Sequence, residues 1–298
     1  MKIRLVDIDS TGFPNYALAK IRKFHLDKGD DVELTGDTCY HFADITYVSC
    51  VFSWNRAKAD WWSNVAKVGG SGYSLVSKLP PEIESVRPHI NLGFTSRGCK
   101  NHCAFCIVND KEGPFKPVGN LLDLWDGSAK DITILDNNIL CDISHFRLIC
   151  AQASDNNIRL DFNQGLDHRL LTQEAIDILK TIRHKDQYRF AFDHPGQIGS
   201  VESTIRLLAK NGVRRSMWYV LVGYNTTYQQ DLDRLNFLRD NNQNVFVMRY
   251  NKHPGKEYIP LAQWGNMRFL FHKLTFAQWM SEDKQKKYQG YVYPLLHG

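Results

Sequence analysis

Three cysteines are spaced as Cys99-x-x-x-Cys103-x-x-Cys106 within the segment 95–108, TSRGCKNHCAFCIV. Thiolates this close together suit an iron–sulfur cluster, in which each iron normally takes one cysteine. A [4Fe-4S] cluster held by three cysteines keeps one iron open to a ligand that is not protein. The motif therefore predicts chemistry at that iron.

A zinc site is the alternative interpretation of the same cysteines. Structural zinc takes four ligands in a tetrahedron, and His102, Cys141 and Cys150 are candidates for the fourth position. The sequence has no second Cys-x-x-Cys or His-x-x-x-His half-site at zinc-finger spacing. The spacing favours a cluster, and a noncatalytic iron–sulfur or zinc-binding module stays open as the alternative.

The segment resembles the radical SAM superfamily, whose hallmark is Cys-x-x-x-Cys-x-aromatic-Cys, with Phe105 at the aromatic position. The resemblance implies an enzyme in which S-adenosylmethionine binds the open iron and is reductively cleaved to a 5′-deoxyadenosyl radical. That radical abstracts hydrogen from a substrate, which the sequence does not identify. The resemblance also implies an electron donor such as flavodoxin or ferredoxin, while the protein positions the cofactors and excludes water.

Composition indicates a globular protein that can bury a sizeable core, since the chain has 298 residues of which 43% are hydrophobic. The net charge is +5, with one dense lysine cluster at 284–287, so nucleic-acid binding is not indicated. Seven cysteines, an odd number, favour a reducing compartment over a disulfide framework. Because no apolar run reaches the roughly 18 residues that span a bilayer, we expect a cytoplasmic protein without a membrane partner.

Apolar patterning predicts an α/β protein in three parts. Residues 1–80 form a small Rossmann-like α/β module, residues 81–250 alternate strands with helices, and residues 251–298 form a helical extension. Strands joined by helical crossovers predict a parallel sheet. The module has predicted strands at 3–8, 32–34 and 45–52 and a helix at 15–28. The central part has predicted strands at 90–95, 132–135, 158–162, 188–192, 217–222 and 245–250, and helices at 172–184, 200–211 and 229–240.

The superfamily resemblance implies that the central part is a six-stranded (β/α)6 partial TIM barrel with the cysteine loop directly after its first strand. In such barrels functional groups gather at the C-terminal ends of the strands. The candidate cofactor-binding residues are Phe105 in the loop, Asp136 and Asn137 after the second strand, Asn163 and Arg169 after the third, Asp193 after the fourth and Gly223 after the fifth. No catalytic residue is assigned.

Two of these candidates have alternative roles. Asp136 can accept a hydrogen bond from the methionyl ammonium, or it can be a turn or helix N-cap residue. Arg169 can pair with a carboxylate of cofactor or substrate, or it can form a salt bridge with Asp167 or Glu174.

The first 80 residues resemble a shortened cobalamin-binding-type domain. They carry Asp7-x-Asp9-x-x-Gly12 where such domains have Asp-x-His-x-x-Gly. This resemblance implies cobalamin as a further cofactor and a cobalamin-dependent radical methyltransferase as an alternative function, although Asp9 in place of the histidine and the short length count against it. Methylthiotransferases carry three more cysteines here, whereas this segment has Cys39 and Cys50. The whole layout resembles small radical SAM proteins of bacteria and their phages.

Overall fold

The structure is a computed structural model, and it describes residues 1–36, 42–250, 255–282 and 285–297. Three positions named above, Cys39, Asn251 and Lys284, lie outside these ranges. The structure is a mixed α/β fold with parallel sheets.

The fold contains two compact units, residues 1–137 with 155–158 and residues 138–154 with 159–298. The boundaries expected near residues 80 and 250 stay a prediction.

Among its described residues, the first unit has eight strands and four α-helices. The strands are β1 (Lys2–Asp7), β2 (Asp31–Thr35), β3 (Ile45–Ser49), β4 (Lys67–Gly69), β5 (Leu92–Gly93), β6 (Ser96–Arg97), β7 (Lys116–Pro117) and β8 (Asp131–Ile134). The helices are α1 (Tyr16–Asp27), α2 (Arg56–Asp60), α3 (Pro81–Glu84) and α4 (Val108–Glu112).

The N-terminal sheet of this unit has the order β2-β1-β3-β4 with all pairs parallel. Its central strand β1 is apolar on both faces. Ile3 and Leu5 pack against Leu18 and Ile21 of α1. The opposite face packs around Trp62. This confirms the α/β character expected for the start of the chain, and the strand order is that of doubly wound sheets.

In the part of the second unit that the structure describes there are five strands and eight α-helices. The strands are β9 (Arg159–Phe162), β10 (Arg183–His184), β11 (Arg189–Ala191), β12 (Met217–Val222) and β13 (Asn244–Arg249). The helices are α5 (Ile143–Asp155), α6 (Gln173–Leu179), α7 (Ile198–Lys210), α8 (Tyr228–Asp240), α9 (Tyr258–Asn266), α10 (Arg268–Lys273), α11 (Phe276–Ser281) and α12 (Lys286–His297).

Strands β11, β12 and β13 form a parallel sheet in that order. Alternate residues of β12 are buried, and Trp218, Val220 and Val222 have no exposed surface. Helix α8 begins with a capping box in which Thr227 and Gln230 satisfy each other's backbone N–H groups. The parallel strands and the helix that connects β12 to β13 hold the loops after β11 and β12 in place.

Two predicted elements differ in extent. The helix expected at 172–184 ends at Leu179, because the chain turns there and Arg183–His184 pairs with β9 as strand β10. The strand expected at 90–95 is limited to Leu92–Gly93. Asn91 before it has a positive φ of 60°, which is a turn conformation and not an extended one.

Among the described residues, no helix is both long enough and apolar enough to cross a membrane.

Candidate cluster-binding site

The cysteine loop leaves and re-enters the fold through a short antiparallel pair. In strands β6 and β7, Ser96 lies opposite Pro117 and Arg97 opposite Lys116. The Cys99 N–H donates to the Gly113 carbonyl at 3.3 Å, which extends the pairing into the loop. The loop therefore has a closed base, and both of its ends are held by backbone hydrogen bonds.

An ion pair reinforces this base. Arg97 and Glu112 form a bidentate pair in which Arg97 Nε lies 2.7 Å from a Glu112 carboxylate oxygen. Their side chains are 24% and 16% exposed, so solvent screens the pair only in part. The guanidinium carbon also lies 3.9 Å from the centroid of the Phe94 ring. Arg97 is thus fixed from two sides.

Gly98, directly before the first cysteine, is required by geometry. Its φ is +79°, and a Cβ at this position would lie 2.3 Å from the Pro114 carbonyl oxygen. A side chain would force the two ends of the loop apart. The sequence interpretation did not assign a role to this glycine.

The three cysteines are half-buried within one loop. The Cys106 N–H donates to the Cys103 carbonyl at 2.9 Å, which forms a turn between the second and third thiols. The Asn101 N–H lies 3.3 Å from Cys99 Sγ. Hydrogen bonds to sulfur are among the features that set the reduction potential of an iron–sulfur cluster.

The donor set fits a cluster. In the described part of the chain, no group of three or more His, Cys, Asp or Glu side chains converges to hold a metal ion. The cysteines of a [4Fe-4S] cluster need not meet at a single metal ion, because each thiolate binds a different iron. Cys150, a candidate fourth zinc ligand, is fully buried in α5, and burial raises the pKa of its thiol to about 12. Phe105, which directly precedes Cys106, is half-buried.

Asp136 and Asn137 follow β8 and reach the start of the cysteine loop. The Asp136 carboxylate accepts hydrogen bonds from the Thr95 N–H at 2.7 Å, the Thr95 hydroxyl at 2.6 Å and the Ser96 hydroxyl at 2.7 Å. Burial raises the pKa of the Asp136 carboxyl, and these hydrogen bonds oppose the shift. The Asn137 Oδ1 accepts from the Gly98 N–H at 3.0 Å.

The loop also contacts the segment that follows β4. Lys111 of α4 donates through Nζ to the Ser77 carbonyl at 2.6 Å and to the Ser74 carbonyl at 3.2 Å. Burial lowers the pKa of Lys111. The helix that ends the loop is therefore tied to the segment after β4, within the same compact unit.

The remaining candidates belong to the second unit. Asn163 follows β9, and its carbonyl accepts a hydrogen bond from the Tyr219 hydroxyl at 2.8 Å. Arg169 forms a bidentate pair with Asp167, with distances of 2.8 and 2.9 Å. This is one of the two salt bridges considered from the sequence.

Asp193 follows β11 and is half-buried. Burial raises the pKa of its carboxyl to about 6, against the opposing effects of Arg234 and of a hydrogen bond from the Leu221 backbone. Arg169 and Asp167 also face this carboxylate, with opposite effects on its pKa. A carboxyl whose pKa is raised in this way suits a group that holds or moves a proton.

Gly223 follows β12 and is held by a buried ion pair on α8. The Gly223 N–H donates to Asp231 at 2.8 Å, and Asp231 pairs with Arg234. Arg234 donates further to the Leu221 carbonyl at 2.6 Å and to the Phe192 carbonyl. Both side chains of the pair are almost fully buried. Sequence reasoning missed this pair, although oppositely charged residues three apart on the apolar face of a helix were a visible signal.

Asp9, at the position of the cobalamin-ligating histidine, anchors the loop after β3. Its carboxylate accepts from the Val51 N–H at 2.5 Å, the Phe52 N–H at 3.3 Å and the Asn55 amide at 2.9 Å. Asp9 supplies no imidazole, and its oxygens are engaged by the chain itself. The residues at this position do not fit axial ligation of cobalamin.

No protein-family model matches the chain. The chain is 29% identical over 119 residues to a tRNA-2-methylthio-N(6)-dimethylallyladenosine synthase of Chlorobium phaeobacteroides (strain BS1). This similarity supports the radical SAM superfamily. The match covers 38% of this chain and 22% of the relative, so the chain spans less than a quarter of the length of that protein.

Proposed function

We propose that this chain is a radical SAM enzyme whose Cys99, Cys103 and Cys106 bind a [4Fe-4S] cluster. The observation that carries the proposal is the cysteine loop itself, with three half-buried thiols held above a closed base. When bound and reduced by a flavodoxin or ferredoxin, the cluster would supply the one electron needed to break the C5′–S bond of S-adenosylmethionine, giving methionine and a 5′-deoxyadenosyl radical that would take a hydrogen atom from the substrate.

The chain's own residues position these cofactors. Phe105 packs beside the cluster, and Asn163, Arg169, Asp193 and Gly223 bind S-adenosylmethionine at the ends of successive strands of a (β/α)6 partial barrel. The half-buried carboxyl of Asp193 suits a ribose hydroxyl, because its raised pKa of about 6 lets it donate a hydrogen bond when protonated and accept one when ionised. Gly223 has a φ of +78° and no side chain, which allows close approach to the adenine.

Methylthiolation of tRNA, the reaction in the relative's name, is not proposed for this chain. The match covers 22% of that protein, and the first 80 residues contain two cysteines, Cys39 and Cys50. Cobalamin-dependent methyl transfer is not proposed either, because Asp9 anchors the loop after β3 and supplies no imidazole.

The test is anaerobic reconstitution followed by reduction with dithionite in the presence of S-adenosylmethionine. We expect 5′-deoxyadenosine by mass spectrometry from the wild type and from Cys141→Ser, and none from Cys103→Ala. Cys141 is the matched control, because it is a half-buried cysteine outside the loop. Stoichiometric zinc in the wild type that is lost in Cys141→Ser would instead establish the zinc alternative.

A further inference from the structure

The backbone that enters the cysteine loop is held by the two residues that follow β8. Thr95 and Ser96 have no exposed surface, and both donate to the Asp136 carboxylate. Two positions further along, the Gly98 N–H donates to Asn137. Hydrogen bonds that the side chains of Asp136 and Asn137 accept thus fix the chain at three of the four residues before Cys99.

The Asp136 carboxylate is buried and already engaged by the chain. A carboxylate has about four lone-pair sites, and the Thr95 N–H, the Thr95 hydroxyl and the Ser96 hydroxyl occupy three of them. Asp136 itself is 4% exposed. A methionyl ammonium would have to reach this buried group, and displacing one of its three donors would leave that donor without its partner.

Asn137 accepts a hydrogen bond from Gly98, where the backbone is sterically constrained. Gly98 has a positive φ and lies against the Pro114 carbonyl, so its peptide group has little freedom to reorient. Its N–H is oriented by the Asn137 amide oxygen, and the next residue is the first thiol. A change at Asn137 is therefore transmitted to Cys99 through one peptide unit.

We propose that Asp136 and Asn137 are positioning residues, which fix the backbone leading into Cys99 and make no direct contact with S-adenosylmethionine. This inference rests on the proposed function, because it assigns Cys99 to the cluster. From the sequence alone, Asp136 and Asn137 are expected to bind the cofactor, whereas here they hold the backbone of the cysteine loop. The loop then keeps its thiols preorganised before any cluster is inserted.

The inference is tested on the apo protein under reducing, anaerobic conditions, by the rate at which iodoacetamide alkylates Cys99. Asn137→Ala removes the acceptor of the Gly98 N–H, and we expect Cys99 alkylation to rise about fivefold, the effect of losing one hydrogen bond on local opening. Asn137→Asp keeps an acceptor oxygen and should stay within about twofold of the wild type. Asp136→Asn should also raise the rate.

Asp126→Asn is the matched control. Asp126 also accepts several hydrogen bonds, from Asn91, Ser128 and Ala129, but it lies before β8 and these donors are outside the cysteine loop. Its substitution should leave Cys99 alkylation unchanged. If Asp136→Asn does not fold, Asn137→Ala and Asn137→Asp decide the question.

Two results would overturn the inference. One is an unchanged alkylation rate in Asn137→Ala. The other is a loss of S-adenosylmethionine affinity in reconstituted Asn137→Ala while Cys99 alkylation and iron content match the wild type, which is the signature of a direct contact. Failure of the wild type to bind a cluster would refute the proposed function, whereas the alkylation rates in the apo protein would still test the positioning.

Discussion

Arg97 and Glu112 form a bidentate ion pair across the base of the cysteine loop, at opposite ends of a 16-residue segment. All three cysteines of the motif lie between these two residues in the sequence. The pair therefore acts as a clasp, because opening the loop separates a guanidinium from a carboxylate that are both mostly shielded from water. This clasp is specific to the loop and can be tested separately from the cluster.

Replacing Arg97 with methionine should loosen the loop. It leaves the Glu112 carboxylate partly buried without its partner, and we expect the free energy of unfolding to fall by about 1–2 kcal/mol in urea titrations. Arg206→Met is the control, since the Arg206–Glu202 pair is exposed and should contribute less than about 0.5 kcal/mol. Equal losses in the two variants would contradict the role of Arg97.

Replacing Gly98 with alanine should prevent cluster binding. The added Cβ would lie 2.3 Å from the Pro114 carbonyl oxygen, so the loop ends must separate. Gly127→Ala is the matched control, because Gly127 has a similar φ of +86° but nothing within 4 Å of a built Cβ. Iron per protein after anaerobic reconstitution should be lost in Gly98→Ala and retained in Gly127→Ala. Full iron content in Gly98→Ala would show that the closed base is dispensable.

Replacing Asp193 with asparagine should change the pH dependence of stability. The folded protein holds the proton of Asp193 up to about pH 6, whereas the unfolded chain releases it near 3.8. Ionisation therefore costs the folded state stability as pH rises from about 4 to about 6, and the cost is constant above that range. Asp193→Asn removes it, so this variant should gain roughly 1–3 kcal/mol over the wild type at pH 7 and nothing near pH 4. Parallel stability curves for the two proteins would refute the raised pKa.

Replacing Asp9 with alanine should destabilise the N-terminal sheet. The substitution leaves the Val51 and Phe52 N–H groups without their acceptor, at a cost of about 1–2 kcal/mol. Asp44→Ala is the control, because Asp44 accepts from the backbone N–H of Lys2 at an exposed position. Thermal unfolding measures both. A wild-type melting temperature for Asp9→Ala would show that the loop after β3 is held by other contacts.

The sequence was sufficient to predict elements with a strong apolar pattern. Strand β12 has the predicted bounds, and helix α8 lies within one residue of its predicted start because Leu232, Leu235 and Leu238 mark one apolar face. The cysteine motif itself was also evident from spacing alone.

The supports of the loop were not predictable in the same way. Strands β6 and β7 have two residues each, which is too short to show a period, and their partners are about 20 residues apart. The contacts from Asp136 to Thr95 and Ser96 span some 40 residues and depend on how β8 is placed in the fold. Polar residues after a strand indicated a functional position, but they did not show whether the side chains face a ligand or another loop.

The central claim is that three cysteines hold a cluster with one iron open to S-adenosylmethionine. The most direct measurement is the electron paramagnetic resonance spectrum of the anaerobically reconstituted, reduced wild-type protein, recorded with and without S-adenosylmethionine. We predict a cluster signal that shifts when S-adenosylmethionine is added and that is absent from Cys103→Ala. A protein that contains stoichiometric zinc and gives no cluster signal, or a cluster signal unaffected by S-adenosylmethionine, would contradict the account.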